Sequence, residues 1–241
     1  MRCQFLCLLV FGLCVSGVAA DAPLAQIPYS QLLDYQQRVD SLRDLKQLKV
    51  WEHVSSKRRE VKPADIKLII MRDAAHGGPL PIPLDQDGVF TLPELPALKA
   101  EDPMVLSNQP KGTMVMSVTW EIIAPTVTDM RYRELILGVQ QYNEAMHRQG
   151  FMAALLAPKA IGLLLVYPDG GHRLTLHAAG GDQAIPSKSY KDAGDAVKGI
   201  DMSGMSAATT LIYLPLDDAL LKQDPTVTLD SLPEAVSAAY D

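Results

Sequence analysis

The sequence Leu92-Pro93-x-x-x-Ala97-Leu98-x-x-x-Asp102-Pro103-x-Val105 occurs a second time as Leu214-Pro215-x-x-x-Ala219-Leu220-x-x-x-Asp224-Pro225-x-Val227. All seven residues keep the same spacing, and the two copies lie 122 positions apart (214 − 92) in a chain of 241 residues. A separation of about half the chain is typical of an internal duplication. The alternative is chance recurrence of a proline-bounded entry into a strand.

The first twenty residues have the pattern of a signal peptide. Arg2 supplies a positive start, the run from Phe5 to Val15 is apolar, and Val18-Ala19-Ala20 ends it in small residues. This pattern predicts cleavage after Ala20 and export from the cytoplasm. The apolar run is short for a bilayer span, so an uncleaved anchor is the less favoured alternative.

Composition and charge restrict the partners that the exported chain can have. Hydrophobic residues make up 48% and charged residues 21%, as in ordinary folded domains. All three cysteines lie in the first twenty residues, which leaves the mature chain without thiol chemistry or disulfides. Without Arg2 it has 21 basic and 28 acidic residues, a net charge of −7. This charge argues against nucleic acid and anionic membrane surfaces as partners.

Helical spacing of apolar residues predicts two main helices. The first covers residues 31–43, with Ser30 as its N-cap and Asp34 in its first turn. The second begins after Asp129 as N-cap and ends at Gly150. Two shorter helical segments are also expected, at Ala97-Leu98 and over residues 233–240.

Alternating or continuous apolar runs predict the strands, of which 45–53 and 65–71 are expected to pair with each other. Pro168-Asp169-Gly170-Gly171 predicts a hairpin between the two strands on either side of it. Residues 108–112 are expected to form a turn and residues 180–208 a long loop. The predicted strands are 45–53, 65–71, 80–84 (an edge strand), 89–92, 104–107, 113–123, 161–167, 173–178, 209–214 and 226–229.

These elements predict an α+β protein made of two pseudo-repeats, each a helix plus a small, mainly antiparallel sheet. The expected division is a signal peptide over 1–20, a first repeat unit over 21–124 and a second over 125–241. Each repeat is hydrophobic on one face only, so each needs a partner surface.

Three segments also resemble a known family: Pro63-Ala64-Asp65-Ile66, the stretch from Pro81 to Pro93, and Asn108-Gln109-Pro110-Lys111-Gly112. The chain is similar there to signal-peptide-bearing proteins of Gram-negative bacteria that share a domain of unknown function. The resemblance implies an exported bacterial protein, and it implies no catalytic residues.

The candidate chemistry of the sequence is sparse, and no motif predicts a cofactor. Asp85-x-Asp87-Gly88 has two of the carboxylates of a calcium loop, but an ordinary Asp-Gly turn is favoured. Two histidines, His172 and His177, lie near Asp169 and Asp182 around the second hairpin. They are either metal ligands or surface residues, and on a strand their odd separation would put them on opposite faces.

Two further groups of residues are candidate sites. Ser203 and Ser206 lack the glycine pattern of a nucleophile elbow, so a loop is favoured over a hydrolase centre. The methionine pair Met114 and Met116 favours core packing over copper binding.

The sequence therefore favours a non-enzymatic binding or accessory module of the cell envelope. Its partner would be an envelope protein or a small ligand, without nucleic acid and without a membrane span after signal cleavage. The candidate surface residues are Asn108, Lys111, Trp120 and Tyr132, expected at the junction of the repeats. An exported hydrolase using His172 and His177 with 180–208 as a lid is the first alternative, and copper or other metal handling is the second.

Overall fold

The computed structural model describes residues 23–150, 157–192, 194 and 206–241. Four α-helices and fourteen strands in four antiparallel sheets are found there, which confirms the α+β class. The predicted signal peptide and Ser203 lie outside the described residues. The helices are α1 (Tyr29–Asp40), α2 (Pro96–Glu101), α3 (Tyr132–Arg148) and α4 (Asp218–Gln223). The strands are β1 (Leu24–Pro28), β2 (Leu48–Ser56), β3 (Leu68–Ile70), β4 (Leu80–Ile82), β5 (Met104–Pro110), β6 (Met114–Ile122), β7 (Asp129–Arg131), β8 (Ala160–Tyr167), β9 (Arg173–Ala178), β10 (Gly181–Pro186), β11 (Lys188–Ser189), β12 (Thr210–Pro215), β13 (Thr226–Leu229) and β14 (Ala235–Tyr240).

Contacts divide the described chain into two compact units. The first unit consists of residues 23–43 and Val50–Thr119, and the second of Asp44–Lys49 and the described part of Trp120–Asp241. The chain passes from one unit to the other within β2 and within β6, which together form a two-stranded sheet.

The first unit has a four-stranded sheet in the order β1-β5-β3-β4. Val105 lies at its centre, opposite Ile27 on one neighbouring strand and Ile70 on the other. Its inner face packs on α1 through Leu32 and Leu33, which belong to one apolar core. Burying a large aliphatic side chain stabilises the fold by about 1.5–3 kcal/mol, so this layer holds the unit together without disulfides.

The second unit contains a four-stranded sheet in the corresponding order, β7-β13-β9-β10. Val227 occupies the central position, opposite Met130 on one side and Leu176 on the other. The second unit also has a sheet of order β11-β12-β8-β14. Its β8 is buried at almost every position, because strands pair with it on both sides.

Both copies of the repeated motif hold the preceding helix in the same way. The amides of Tyr29 and Tyr132, the first residues of α1 and α3, each donate at 2.9 Å to the carbonyl of the motif's second proline. Their fully buried hydroxyls donate to Pro93 and Pro215, the first prolines of the two copies. A strand order and a set of long-range hydrogen bonds are thus common to the two units.

The aspartates of the motif cap these helices from a distance. Asp102 Oδ1 accepts from the amide of Ser30 at 2.7 Å, and Asp224 Oδ1 accepts from the amide of Arg133 at 2.9 Å. Both aspartates are in the left-handed region, with φ of 45° and 47°, and no other non-glycine residue described has a positive φ. A carboxylate at a helix N-terminus pairs free amides and complements the helix dipole.

This distant capping corrects both helix starts. Ser30 is not the N-cap of α1, which begins at Tyr29, and Asp34 lies beyond its first turn. Asp129 belongs to β7 rather than to a cap of α3. The carboxylates that satisfy the helix amides lie 72 and 91 residues away in sequence, where local patterns cannot reveal them.

The predicted strand pairings are also wrong, although most strands exist. The strands β2 and β3 lie in different sheets, and so do β8 and β9 on either side of the Asp-Gly turn. Part of the predicted 180–208 loop forms β10 and β11, which pair with β9 and β12. The predicted turn 108–112 begins later, because β5 runs to Pro110.

The predicted closing helix over 233–240 is wrong as well. Ala235–Tyr240 is the strand β14, which pairs with β8 along its length and is buried at five of its six positions. The alanine-rich sequence favours a helix locally, but pairing with a buried strand decides the outcome.

Candidate functional site

Asn108 and Lys111, two of the four predicted surface residues, lie in the first unit. Asn108 Oδ1 accepts from the amide of Lys67 at 2.9 Å, and its Nδ2 donates to the carbonyl of Asp65 at 2.8 Å. Lys111 is exposed, and its amide donates to the carbonyl of Pro23. The side chain of Asn108 therefore joins β5 to residues 65–67, whereas Lys111 is exposed to solvent.

The other two predicted residues, Trp120 and Tyr132, belong to the second unit and are buried. Trp120 is 9% exposed and packs edge-on against Tyr142 at 6.2 Å between ring centroids. Tyr132 is 0% exposed. Both aromatic side chains are therefore packed in the interior of this unit.

The second unit brings His172 together with residues from two loops. His172 Nε2 lies 2.7 Å from Asp169 Oδ1, and His172 Nδ1 lies 2.8 Å from Ser231 Oγ. The ring is stacked on Tyr167 with centroids 4.3 Å apart. Asp230 Oδ1 is the next acceptor, 3.5 Å from Nδ1, while Asp230 Oδ2 accepts from the amide of Arg173. His172 therefore joins the turn after β8 to the segment after β13.

His177 occupies a different position, on the exposed face of β9. Its Nδ1 lies 2.8 Å from Asp182 Oδ1, and its Nε2 lies 3.0 Å from Thr228 Oγ1. The hydroxyl of Thr228 in turn donates to Asp129 Oδ1 at 2.7 Å. A hydrogen-bonded chain of side chains thus crosses all four strands of this sheet.

The sequence predicted Asp169, His172, His177 and Asp182 as one cluster, but the structure assigns them to two. The two histidines do not lie on opposite faces of one strand, because His172 precedes β9. Ser231 and Thr228 were missed, since each lies more than fifty residues from its histidine partner.

Among the described residues, no group of three or more His, Cys, Asp or Glu side chains is placed to hold a metal ion. Asp85 Oδ1 accepts from the amides of Asp87 and Val89, both at 2.9 Å, which is the geometry of an Asx turn. Met114 and Met116 pack against the apolar core of the first unit.

The outward faces of the two corresponding sheets differ sharply in chemistry. In the first unit, five outward side chains form what we call the apolar face: Ile69, Met71, Pro81, Met104 and Leu106. The polar residues Gln26 and Asn108 border it. They are contiguous, since Ile69 lies opposite both Leu106 and Pro81, and the amide of Met71 donates to Met104. In the second unit, the outward positions of β9 and β13 hold Arg173, Thr175, His177, Thr226 and Thr228.

Glu52 is a buried carboxyl group on β2 of the first unit, with 6% of its surface exposed. Burial raises the pKa of Glu52 from 4.5 to about 7; the nearby carboxylate of Asp40 adds to this shift, and Arg43 opposes it. The folded state therefore holds the proton more tightly than the unfolded chain. The resulting stabilisation is complete below pH 4.5 and is lost as the pH rises through about 7.

Replacing Glu52 with glutamine is expected to flatten this part of the pH profile of stability. At pH about 8 the Glu52→Gln protein should be more stable than the wild type by about 1–2 kcal/mol, an amount reduced because solvent screens part of the charge. Urea unfolding at a series of pH values measures the effect. The control is Glu60→Gln, since Glu60 is exposed and its pKa is lowered. Equal pH profiles for wild type and Glu52→Gln would contradict the prediction.

Neither family models, curated proteins nor solved structures provide a match to this chain. In the part of the chain that the structure describes, no helix is both long enough and apolar enough to cross a membrane.

Proposed function

We propose that the chain is an exported accessory protein of the bacterial cell envelope, built from two copies of one α+β module. The first unit binds an envelope protein through its apolar face. The observation that carries the proposal is the contrast between this face and the threonine-rich face of the corresponding sheet in the second unit.

The residues of the apolar face are contiguous, whereas the apolar residues on an ordinary protein surface are isolated from one another. Met71 is 43% exposed and Met104 is 36% exposed, and each lies beside the other across neighbouring strands. Contiguous apolar patches of this kind on soluble proteins mark interaction sites, whereas single exposed apolar residues do not. Methionine adapts to differently shaped partners because its side chain is unbranched and polarisable.

The corresponding sheet of the second unit supports a binding role for this face, because it has polar residues at the equivalent outward positions. Thr228 corresponds to Leu106, since each lies next to the central valine of its strand and points outward. The architecture therefore does not require apolar residues at these positions. A protein partner is favoured over an anionic lipid surface because the predicted mature chain has a net charge of −7.

The proposal is tested by exchanging the face of one unit for that of the other. The triple variant Ile69→Thr, Met104→Thr and Leu106→Thr should retain its fold, since threonine favours strands. We expect the amount of partner recovered by crosslinking and affinity capture from envelopes to fall at least about 10-fold relative to the wild type, because the central apolar contacts dominate binding.

The matched control changes the corresponding face of the second unit. The double variant Thr175→Ala and Thr226→Ala should recover the same partner in wild-type amounts. Circular dichroism and thermal unfolding establish that each variant is folded. Undiminished capture by the folded triple variant would refute the assignment of this face.

A further inference from the structure

The segment Asp230-Ser231-Leu232 places a serine hydroxyl next to a histidine that a carboxylate already holds. We propose that Ser231 is a nucleophile that cleaves carboxylic esters, with His172 as its general base and Asp169 as the positioning residue. This activity goes beyond the proposed binding role and belongs to the second unit, whereas the apolar face belongs to the first.

The shortest contact of the His172 ring indicates which tautomer the neutral ring adopts. An ionised carboxylate can only accept, so Asp169 places the ring proton on Nε2, at 2.7 Å. Nδ1 is then an acceptor. The hydroxyl of Ser231 lies 2.8 Å from Nδ1, much closer than its other acceptor, Asp230 Oδ1, at 3.4 Å. This is the relation of nucleophile, base and orienting carboxylate that activates a serine, with the roles of the two ring nitrogens exchanged relative to serine proteases.

The surroundings hold the ring while leaving the serine accessible. The side chain of His172 is only 20% exposed, and Tyr167 covers one face of the ring. Ser231 is partly exposed, and Leu232 beside it is 46% exposed. An apolar side chain at this position would contact the acyl group of an ester.

Backbone donors are also present at the nucleophile. Across the described ranges, the amides of Ser231 and Leu232 make no hydrogen bond to any acceptor. Free amides at a nucleophile and at the residue after it are the groups that stabilise an oxyanion in acyl transfer. Both lie in an irregular segment between β13 and β14, so no strand ladder uses them.

The second histidine cluster lacks these properties, although it contains similar groups. The hydroxyl of Thr228 donates its proton to Asp129 at 2.7 Å, so that proton is not directed to His177. Thr228 also lies within β13, paired on both sides. The geometry therefore singles out Ser231 and makes His177 a suitable control position.

The reaction follows the usual course of acyl transfer. Ser231 Oγ forms a bond to the ester carbonyl carbon while its proton passes to His172 Nδ1. The tetrahedral intermediate collapses, the bond to the alkoxy oxygen breaks, and His172 returns the proton to the departing alcohol. His172 then takes a proton from water as the water oxygen bonds to the acyl carbon. The bond from that carbon to Ser231 Oγ breaks, His172 returns the proton to Ser231 Oγ, and the carboxylic acid is released.

The test uses the full chain with two readouts: hydrolysis of p-nitrophenyl acetate and labelling by a fluorophosphonate probe. We expect the probe to modify the wild-type protein on Ser231, as mapped by peptide mass spectrometry. Ser231→Ala should abolish labelling and lower the hydrolysis rate by about 100-fold or more. Mapping on the wild type keeps the test valid even if the Ser231→Ala protein fails to fold.

Two variants complete the experiment. Asp169→Asn should lower the rate at least about 10-fold and change the pH profile of hydrolysis, which a purely structural role would not do. His177→Gln should label and hydrolyse as the wild type does. The triple variant of the apolar face should also retain hydrolysis, so the two proposals can fail separately. Labelling at another residue, or no labelling of the folded wild type, would overturn the proposal.

Discussion

Replacing Asp102 with alanine is expected to lower the free energy of unfolding by about 2–3 kcal/mol. Two destabilising effects add at this position: the loss of a helix cap and an unfavourable backbone conformation. The carboxylate caps α1 through Ser30, accepting from its amide at 2.7 Å and from its hydroxyl at 3.0 Å. Alanine is also poorly suited to the left-handed backbone at this position, where φ is 45°. Urea unfolding of the purified variant measures the change.

Two other substitutions at the same position separate these causes. Asp102→Asn keeps an oxygen acceptor and tolerates left-handed backbone, so it should cost least. Asp102→Gly removes the cap but relieves the backbone strain, so its effect should lie between those of asparagine and alanine. If all three variants were as stable as the wild type, distant capping of α1 by the motif would be refuted.

Replacing Gly88 with alanine is expected to cost about 3–4 kcal/mol. Gly88 has φ of 80°, and an added Cβ would lie 3.0 Å from Pro63 Cβ and inside the contact distance of the Val54 carbonyl oxygen. That oxygen belongs to the backbone of β2, so a side-chain rotation cannot relieve the clash. Thermal and urea unfolding should both show the loss.

Gly112 provides the matched control. Its φ is 84°, but no atom lies within 4 Å of an added Cβ. Gly112→Ala should therefore show only the cost of left-handed backbone, about 1 kcal/mol. A similar loss for the two variants would show that the close approach of Gly88 to β2 contributes nothing.

Most strands and the main helices could be predicted from the sequence, because burial on one face leaves a local periodic pattern. The motif around Asp102 and Asp224 correctly predicted the helix α2, the start of β5 and the strand β13. Local periodicity does not predict which strands pair at points where the chain passes from one sheet to another. The Asp-Gly turn after β8 suggested a hairpin, yet β8 pairs with β12 and β14, which lie far along the chain.

The candidate sites were predicted less well, since they depend on pairings that are distant in sequence. The sequence indicates His172 as a candidate metal ligand or hydrolase residue beside a predicted hairpin, but nothing local connects it with Ser231, 59 residues later. Trp120 and Tyr132 were predicted to line a candidate surface because of their position at the junction of the repeats, whereas both are buried. The sequence does not predict the apolar face, because its residues come from three strands and each strand has the pattern of an ordinary run of core residues.

Site-specific photocrosslinking tests the binding role of the first unit most directly. A photoreactive phenylalanine derivative would be introduced in turn at positions 69, 104 and 106, and at the corresponding outward positions 175, 226 and 228, in cells that export the protein. The account predicts that the first three positions crosslink to one and the same envelope protein and that the other three do not. Crosslinks of equal yield from both sets, or none from the folded variants of the first set, would contradict it.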